Sequence, residues 1–569
     1  MKFLVISARL IIENGRRPIT LARTATLRTT PSLIIVSSII ASLMLAGTTL
    51  SAAPALTAPT LEVTPRLDEI ATNVRPVLAW DNSEGGIPPR RYVLQVDSSP
   101  TFKTANLTEM SGIPEGVYNT TTRLQSPLSD NTQWFWRVKA VDSAGQESPW
   151  STECGGVTAR FFVNTSAEKR FEYLRIPIRN VTTSSGHGTQ FILDYDDDNA
   201  TYWEGAAGQS GHWVLFDLGE PRPVSRIFLA SGMAGWKARL PKSVEWSSRS
   251  NLDGRLAGFV WQHSDDGKTW TDIPETERRN SDSYREIFQL DRKPVTARYF
   301  RLCIKAWHGQ SPRIYDVMMY LSGQPPVPQV PKGNYVLVIR NVVGFRAEAG
   351  IVKTDFGKMV RGLEGHVAPP WDLQVLELPA YTFSPEILKQ VNPKPVAIFL
   401  SGSGNKYCQL PCFEFSGEFE LTRTTNIPTY GSCAGVQLMA MAYGHTFAVP
   451  TGRSYTTDTV KDVVEHDIPP ITIQKNDPIF AGLNNPFYGP EYHTWTVHIV
   501  EEGWEVVATS RDSKGLVCIE MIKAVGRPVY GSQFHPEMAR PFSCSKAILM
   551  NFLGMAVERA KKQGTWIGE

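Results

Sequence analysis

The chain has 569 residues, a formal net charge of +2 at pH 7 and 42% hydrophobic residues. Because this length exceeds what one hydrophobic core supports, we expect several domains. Its basic residues are dispersed among acidic ones, which excludes the clustered basic face of a nucleic-acid-binding protein. The 15 tryptophans and 40 prolines favour β-rich modules with aromatic surfaces over a helical bundle.

The N-terminal segment 1–55 has the layout of an export signal. Arginines precede a largely apolar run at 32–47, and small residues follow at 51–55. We therefore expect an exported protein that is periplasmic, at the cell surface or secreted. An uncleaved N-terminal membrane anchor is the alternative, although the apolar run is short for a membrane span.

The cysteine count also bears on function. The chain has 7 cysteines, and an odd number leaves at least one free thiol in an exported protein if the others pair. Cys433 is the candidate for that thiol. Cys408 and Cys412 are close enough in sequence to form a disulfide, but their spacing alone does not establish one. None of the cysteine and histidine spacings is typical of a zinc site.

Residues 57–165 have the pattern of short strands separated by turns. Segments 75–80, 91–97 and 134–140 are strand-like, and the last two alternate cleanly between apolar and polar residues. About a hundred residues with this spacing predict a β-sandwich. Trp80 and the stretch at 134–151 resemble a fibronectin type III domain, and the resemblance implies that these aromatic side chains form its core.

Residues 172–323 form a second β-rich block. Five segments mark it, at 196–203, 213–219, 264–270, 297–302 and 314–317. Their order and spacing resemble the discoidin, or coagulation-factor type C (F5/8 type C), domain over nearly its whole length. The resemblance implies a β jelly-roll.

The discoidin resemblance also implies a structural calcium site. Bacterial members hold calcium in an acidic loop before the first tryptophan, and the matching positions here are Asp196, Asp198, Thr201 and Asp316. Hard oxygen ligands of this kind suit calcium. Asp197 departs from the glycine that is usual in the family, and a solvated acidic loop is the alternative.

The ligand face of this family is made by loops at one end of the barrel. Trp236, Trp307 and His308 lie in loop-like stretches, and the resemblance implies that they could contact a carbohydrate ligand. The alternative is that both tryptophans pack within the domain.

The proline-rich segment 324–332 predicts a stiff, extended linker. After it, over residues 333–562, hydrophobic strands such as 335–340 and 396–400 alternate with helical stretches. This pattern predicts a doubly wound α/β domain with a parallel sheet. Such folds place their sites at the ends of strands.

Two motifs in this region carry chemistry. Cys433 lies between two glycines, after a predicted strand at 426–431 and before a helical run at 434–443. This arrangement predicts a nucleophile elbow, whose helix dipole and free N–H groups favour a thiolate. The second motif contains His535 and Glu537, whose side chains point the same way in an extended chain, so that Glu537 can orient His535.

Together the two motifs resemble those of the class-I glutamine amidotransferases. The resemblance implies that Cys433 is the nucleophile, that His535 is the base that becomes the acid, and that Glu537 orients the histidine. The oxyanion and substrate-binding residues that it implies are Gly402, Ser403, Ala434, Gln437 and His493. The loop at 401–405 departs from the family, which commonly has two adjacent glycines followed by proline.

Members of this family pass ammonia to an ATP-using synthetase, and the sequence shows neither a phosphate-binding loop nor a synthetase domain. We therefore expect an exported hydrolase of glutamine or of a γ-glutamyl small molecule or peptide. It would act through a thioester without a catalytic cofactor, and its β modules would hold it at glycan or a cell surface. Two alternatives stay open: a catalytically silent carbohydrate-binding or cell-surface-binding protein, and an amidotransferase subunit with a synthetase partner in trans.

Overall fold

The structure is a computed structural model that describes most of the chain after residue 53. The described residues are 54–64, 69–71, 73–116, 119–130, 132–151, 158–163, 173–193, 201–231, 254–281, 285–290, 293–341, 354–403, 412–442, 447–448, 470–491, 493, 496–497, 503–511, 517–538 and 545–568. The predicted export signal at 1–55 lies almost wholly outside them. In the part that is described, no helix is both long and apolar enough to cross a membrane.

The described residues of the first block include eight strands. They are β1 (Thr60–Thr64), β2 (Glu69–Ala71), β3 (Val77–Asp81), β4 (Arg91–Asp97), β5 (Thr108–Pro114), β6 (Asn119–Arg123), β7 (Thr132–Val141) and β8 (Ala159–Val163). They form a three-stranded sheet in the order β1-β3-β6 and a five-stranded sheet in the order β2-β8-β7-β4-β5. The predicted strand 91–97 coincides with β4.

One core lies between these two sheets, as their apolar periodicity leads us to expect. Alternate residues of β4 and β7 are buried in it, and Trp80 contacts Tyr92 edge-on with ring centroids 5.4 Å apart. The predicted aromatic core is therefore present. The resemblance to fibronectin type III stays a prediction.

The second block is also all-β. Its strands are β9 (Tyr173–Arg175), β10 (Asn180–Thr183), β11 (Trp203–Glu204), β12 (His212–Val224), β13 (Arg226–Ala230), β14 (Leu256–Ser264), β15 (Thr271–Asp272), β16 (Arg285–Gln289), β17 (Val295–Trp307), β18 (Arg313–Ile314) and β19 (Asp316–Ser322). Short 3-10 helices lie at Thr189–Leu193 and Pro274–Thr276. The two main sheets have the orders β10-β12-β17-β14-β15 and β16-β13-β19-β9, and β11 pairs with β18.

The third block alternates strands and helices. Its strands are β20 (Tyr335–Arg340), β21 (Gln374–Pro379), β22 (Ala397–Leu400), β23 (Thr429–Ser432), β24 (Phe447–Ala448), β25 (Thr472–Ile473), β26 (Thr496–Val497), β27 (Trp504–Arg511), β28 (Val517–Ala524) and β29 (Val529–Ser532). Its helices are α1 (Asp355–Val360), α2 (Pro385–Gln390), α3 (Ser416–Thr424), α4 (Ala434–Met441) and α5 (Ser545–Lys562), with 3-10 turns at Ala380–Thr382, Cys412–Phe415 and Pro478–Phe480.

The main sheet of this block has the order β21-β20-β22-β23-β29-β28-β27-β25. The first five strands are parallel, and the last three are antiparallel. Alternate residues of β20 enter different cores: Val336 and Val338 pack with α1 and α5, whereas Leu337 and Ile339 pack with α3 and α4. Burial on both faces explains why this strand is continuously apolar.

The second and third blocks share one hydrophobic cluster. Ile227 and Leu229 of β13 point into the core of the second block, whereas Phe228 and Ala230 pack in the same cluster as α3 and α4. The strand β19 divides its side chains in the same way. The segment predicted as a linker has no regular secondary structure, and Val330 packs against this shared cluster. The two blocks are therefore docked rather than loosely tethered.

Candidate active site

Cys433 lies in a sharp turn between β23 and α4. Its backbone has φ of 49° and ψ of −109°, in a region that residues with side chains rarely adopt. Small neighbours are required because a Cβ on Gly431 would lie 2.8 Å from the Gly435 carbonyl carbon, and one on Gly435 would lie 2.4 Å from the Leu400 carbonyl oxygen. The two glycines of the motif therefore allow the helix to start directly against the sheet.

His535 and Glu537 follow β29, the parallel neighbour of β23. The Nδ1 atom of His535 lies 2.7 Å from Oε1 of Glu537, and both side chains are buried. The two residues lie in a turn, not in the extended chain that the sequence suggested. Pro536, which cannot donate to a strand ladder, stands between them. The backbone N–H of His535 donates to the Pro490 carbonyl at 2.7 Å and fixes this turn.

Cys433 and His535 are linked through the ends of the two strands that they follow. Ser432 donates from Oγ to the same Glu537 oxygen that faces His535, at 2.8 Å. The Cys433 N–H donates to the Ser532 carbonyl at 2.8 Å. Ser432 was not predicted, and the only signal for it was a hydroxyl residue beside the candidate nucleophile. Glu537 is thus held from both sides.

The electrostatics of the site favour a protonated imidazole. Burial by itself lowers the pKa of His535, but the charges of Glu537 and Cys433 outweigh it and raise this pKa well above its usual range. The other ring nitrogen, Nε2, is buried, and Cys433 is the neighbour whose charge and side chain act on the ring. The arrangement places the Cys433 side chain beside a histidine that favours its protonated form. Cys433, like Cys303 and Cys518, is not part of a disulfide within the described ranges.

Gly402 of the predicted oxyanion loop lies directly against this pair. A Cβ at this position would come within 2.7 Å of the His535 ring and 3.6 Å of the Cys433 Cβ. Ser403 follows it in the loop. Ala434 is buried at the first position of α4, where backbone N–H groups lack helical partners. The structure therefore brings the loop and the helix N-terminus to Cys433.

The two remaining predicted pocket residues are buried in the same domain. Gln437, one turn into α4, donates from Nε2 to Oε1 of Gln533 at 3.3 Å. His493 is 6% exposed, and its Nε2 atom lies 3.6 Å from the Glu491 carboxylate. The segment that carries His493 contacts the active-site turn through the bond between Pro490 and His535.

The second block contains a polar cavity of about 580 Å³ beside β11 and β18. Its lining includes His187, Glu204, Gln310, Ser311 and Arg313. The Arg313 guanidinium forms an ion pair with Glu204 at 2.8 Å. Sequence reasoning did not single out these residues, because they come from three separate stretches of the chain.

The described residues that were predicted to bind glycan are not among those that line this cavity. Trp307 packs against the core and contacts His212 edge-on, with ring centroids 5.0 Å apart. The His308 N–H donates to the Arg255 carbonyl at 2.9 Å. In sequence, His308 stands two residues before the cavity residues Gln310 and Ser311. Trp236 lies outside the described residues. Trp307 thus has the packing contacts of the alternative interpretation.

Two of the four predicted calcium ligands can be located. The strands β11 and β18 pair Trp203 with Ile314, and continuing this register by two residues sets Thr201 opposite Asp316. The ring centroids of the intervening Tyr202 and Tyr315 lie 5.3 Å apart, which places these two residues side by side. Asp196 and Asp198 lie outside the described residues, within which no group of three or more His, Cys, Asp or Glu residues is placed to hold a metal ion.

Comparisons with known proteins agree with this architecture. The family "Glutamine amidotransferase class-I" matches residues 372–553, and the family "NedA-like, galactose-binding domain" matches residues 195–302. One of the subunits of the glutamine-hydrolysing GMP synthase from Methanothermobacter thermautotrophicus is 34% identical over 135 residues, which cover 22% of this chain and 61% of that protein. The corresponding subunit from Methanobrevibacter smithii is 30% identical over 176 residues, which cover 29% of this chain and 77% of that protein.

A longer relative matches over the same domain. The glutamine-hydrolysing GMP synthase of Clostridium novyi is 29% identical over 177 residues, which cover 31% of this chain but only 30% of that protein. The chain thus spans less than two thirds of this relative and of the Methanothermobacter protein. Through its α/β domain, the chain belongs to the class-I glutamine amidotransferase family. It joins that domain to a domain of the discoidin, galactose-binding type.

Proposed function

We propose that the α/β domain hydrolyses the γ-amide of glutamine or of a γ-glutamyl compound, with Cys433 as the nucleophile of a nucleophile elbow. One observation carries the proposal: Cys433 stands at a strand-to-helix turn beside a buried His535 that Glu537 orients at 2.7 Å. The likeness to glutamine-hydrolysing GMP synthase subunits supports the substrate class.

The reaction follows from these groups. The Cys433 thiolate attacks the γ-amide carbon and forms a C–S bond, and the amide oxygen becomes an oxyanion. The His535 imidazolium then donates its proton to the amide nitrogen, the C–N bond breaks, and ammonia or an amine leaves. Neutral His535 takes a proton from water, which attacks the thioester, releases the γ-carboxylate and restores the thiolate. No cofactor enters these steps.

The oxyanion would be stabilised by backbone N–H groups. The Ala434 N–H at the first position of α4 is one donor in this proposal, and the loop at Gly402 and Ser403 supplies the other. Donors that are fixed before the reaction cost no reorganisation when charge develops. Gln437 and His493 would line the pocket for the rest of the substrate.

The test uses the full chain. Wild type is expected to release ammonia from glutamine or from one of a panel of γ-glutamyl compounds, and Cys433→Ala is expected to abolish the release. Cys303→Ala is the matched control, because Cys303 is a free cysteine of the second block. Turnover that survives Cys433→Ala would show that another group does the chemistry. Covalent capture of the substrate acyl group on Cys433, seen by mass spectrometry, would establish the thioester.

The fate of the ammonia decides between hydrolysis and transfer. We propose hydrolysis in an exported protein, with the segment 1–55 directing export. Transfer to a synthetase partner in trans is the competing outcome. If transfer occurs, glutamine turnover by the purified chain should rise when ATP and extract from the native host are added.

A second proposal concerns the second block: it binds carbohydrate through the cavity at Glu204 and Arg313. The match to a galactose-binding family and the polar lining of the cavity support it. A glycan array on the full chain should identify a ligand, and Arg313→Ala should weaken its binding at least 10-fold, because a charged hydrogen bond to a sugar is worth about 1.5–3 kcal/mol. The control is Arg279→Ala, an exposed arginine of the same block. Glycan binding by a chain whose Cys433 is unreactive towards iodoacetamide would favour the purely binding alternative.

We also propose that a structural calcium ion binds Asp316, Thr201 and the acidic loop that precedes Thr201. Calcium would stabilise the second block by binding only its folded form. Addition of calcium after chelation should raise the melting temperature of wild type but not that of Asp316→Asn.

A further inference from the structure

Glu418 of α3 is a buried acid for which the proposed reaction has no use. Its side chain is 1% exposed, and neither carboxyl oxygen makes a well-formed hydrogen bond to a described residue. Its neighbour is the side-chain amide of Asn341, whose interaction lowers the pKa of Glu418 only slightly against the opposing effect of burial. Burial raises this pKa to about 8. Burial thus favours the neutral form of this carboxyl at pH 7.

No cation among the described residues compensates this carboxyl. The charged or titratable side chains on α3, or that face it from the chain packed against it, are Glu414, Glu420, Arg423, Glu386, Lys389, Tyr381 and Arg527, the last of which donates to the Thr422 carbonyl at 2.7 Å. Glu414 is paired with Arg175, Glu386 with Lys389, and Glu420 with Arg423. The fourth helix, α4, carries no charged residue. None of these groups contributes a Coulombic effect to Glu418.

Asn341 connects Glu418 to the loop that faces the nucleophile. Its side-chain Nδ2 donates to the Ser401 carbonyl at 2.9 Å, and its backbone N–H donates to Ser401 Oγ at 3.0 Å. Ser401 Oγ in turn donates to the Gly402 carbonyl at 2.8 Å. Gly402 is the residue that lies against both Cys433 and the His535 ring. These three hydrogen bonds join Asn341, the polar neighbour of Glu418, to the oxyanion loop.

We propose that Glu418 is a positioning residue, which supports the Asn341 amide and so holds the loop 401–403 against Cys433. This inference rests on the proposed hydrolase function. A neutral carboxyl leaves the Nδ2 donor of Asn341 with Ser401. A carboxylate is a stronger acceptor that competes for that donor, and a charge at this depth also draws in water. Ionisation of Glu418 therefore loosens the loop.

The decisive variant is Glu418→Gln, which keeps the shape and the hydrogen-bonding capacity but cannot ionise. The kcat/KM of Glu418→Gln divided by that of wild type should be near 1 below pH 7 and rise to about 30-fold by pH 9.5, since the fraction of neutral acid falls tenfold per pH unit above its pKa. The ratio cancels the titration of His535, which both proteins share. The rate of Cys433 alkylation by iodoacetamide, which uses no oxyanion donors, should have the same pH profile in both.

A second variant, Glu418→Leu, fills the site without a polar contact. It should lower kcat about 10-fold, because the Asn341 amide loses its polar neighbour, while KM changes little. A kcat/KM ratio that stays flat from pH 6.5 to 9.5, or a Glu418→Leu protein with wild-type kcat, overturns the positioning role.

One readout does not depend on turnover. Hydrogen exchange of the peptide that covers 398–403 at pH 7 should accelerate in Glu418→Leu and stay at the wild-type rate in Glu418→Gln. If wild type releases no ammonia but exchange follows this pattern, the loop is held as inferred and the proposed function fails. If wild type is active but exchange and the kcat/KM ratio are unchanged, the positioning role fails alone.

Discussion

Arg175 of the second block forms a bidentate ion pair with Glu414 of the α/β domain, with its Nη2 atom 2.8 and 2.9 Å from the two carboxylate oxygens. Both side chains are almost completely buried. Tyr320 donates its hydroxyl to the same carboxylate at 2.6 Å, and Tyr381 lies under the guanidinium with its centroid 4.3 Å away. Each domain supplies two of these four side chains.

Removing one partner of this pair should uncouple the domains. Arg175→Ala leaves the Glu414 carboxylate buried without its cation, which should lower the free energy of unfolding by about 3–5 kcal/mol. We expect urea denaturation, followed by tryptophan fluorescence and by ammonia release, to change from one transition to two. Arg175→Met combined with Glu414→Gln removes both charges and should cost much less. Equal losses in the single and double variants would mean that the charges are not the cause.

A side chain on Gly402 should inactivate the site without unfolding the protein. The Cβ of Gly402→Ala would lie 2.7 Å from the His535 ring, so that either the loop or the base must move. We expect kcat/KM to fall at least 100-fold, because small misplacements of catalytic groups carry large penalties. Gly554→Ala is the control, since its Cβ would make only an ordinary contact at 3.4 Å in α5. Thermal melting of both variants should match wild type within a few degrees.

Glu537→Gln tests whether the Glu537 carboxylate raises the pKa of His535. Without the carboxylate the pKa of His535 should fall, because the charge that opposed the effect of burial is gone. A histidine whose pKa is raised on folding stabilises the folded state at pH values below the pKa of the unfolded state. That contribution is lost as pH rises through the pKa of the folded state. The destabilisation of Glu537→Gln should therefore be largest at acidic pH and shrink at alkaline pH.

The activity of Glu537→Gln should fall about 100-fold or more, with its alkaline limb moved to lower pH. Ser432→Ala, which removes only the second bond to Glu537, should show a smaller loss and a smaller shift of the limb. An unchanged pH–rate profile in Glu537→Gln would contradict this account of His535.

Glu418→Gln should also change stability with pH, in a direction set by its raised pKa. For an acid whose pKa rises on folding from 4.5 to about 8, the contribution to stability is present below pH 4.5 and is lost as pH rises towards 8. Wild type should therefore lose roughly 3–5 kcal/mol relative to Glu418→Gln across this window. Melting temperatures at pH 5, 7 and 9 measure it, and parallel curves would mean that Glu418 titrates normally.

The sequence predicted best where one local rule applied. The alternation of 91–97 and the apolar run 335–340 coincide with β4 and β20, and the glycines around Cys433 predicted a strand-to-helix turn. The approach of His535 and Glu537 was also expected, although the reason was wrong. A turn around Pro536, not an extended strand, brings them together.

What the sequence left out depends on contacts between distant segments. Glu418 reads as an ordinary helical glutamate, and only the folded chain shows that α3 buries it beside Asn341. The docking of the second block was equally hidden, although one signal existed: β13 and β19 are apolar at consecutive positions, which is typical of strands covered on both faces. The alternation expected for an isolated β module is missing there.

The shared cluster at β13 and β19 also has a consequence for where such an enzyme could act. Since residues 54–569 form one compact body, a glycan held at Arg313 would sit at a set distance and direction from Cys433. A flexible tether would let the thiol sweep a volume around its anchor. A docked module instead fixes where the thiol can reach. The position of an amide on the anchoring surface would then decide, together with its chemistry, whether that amide is a substrate.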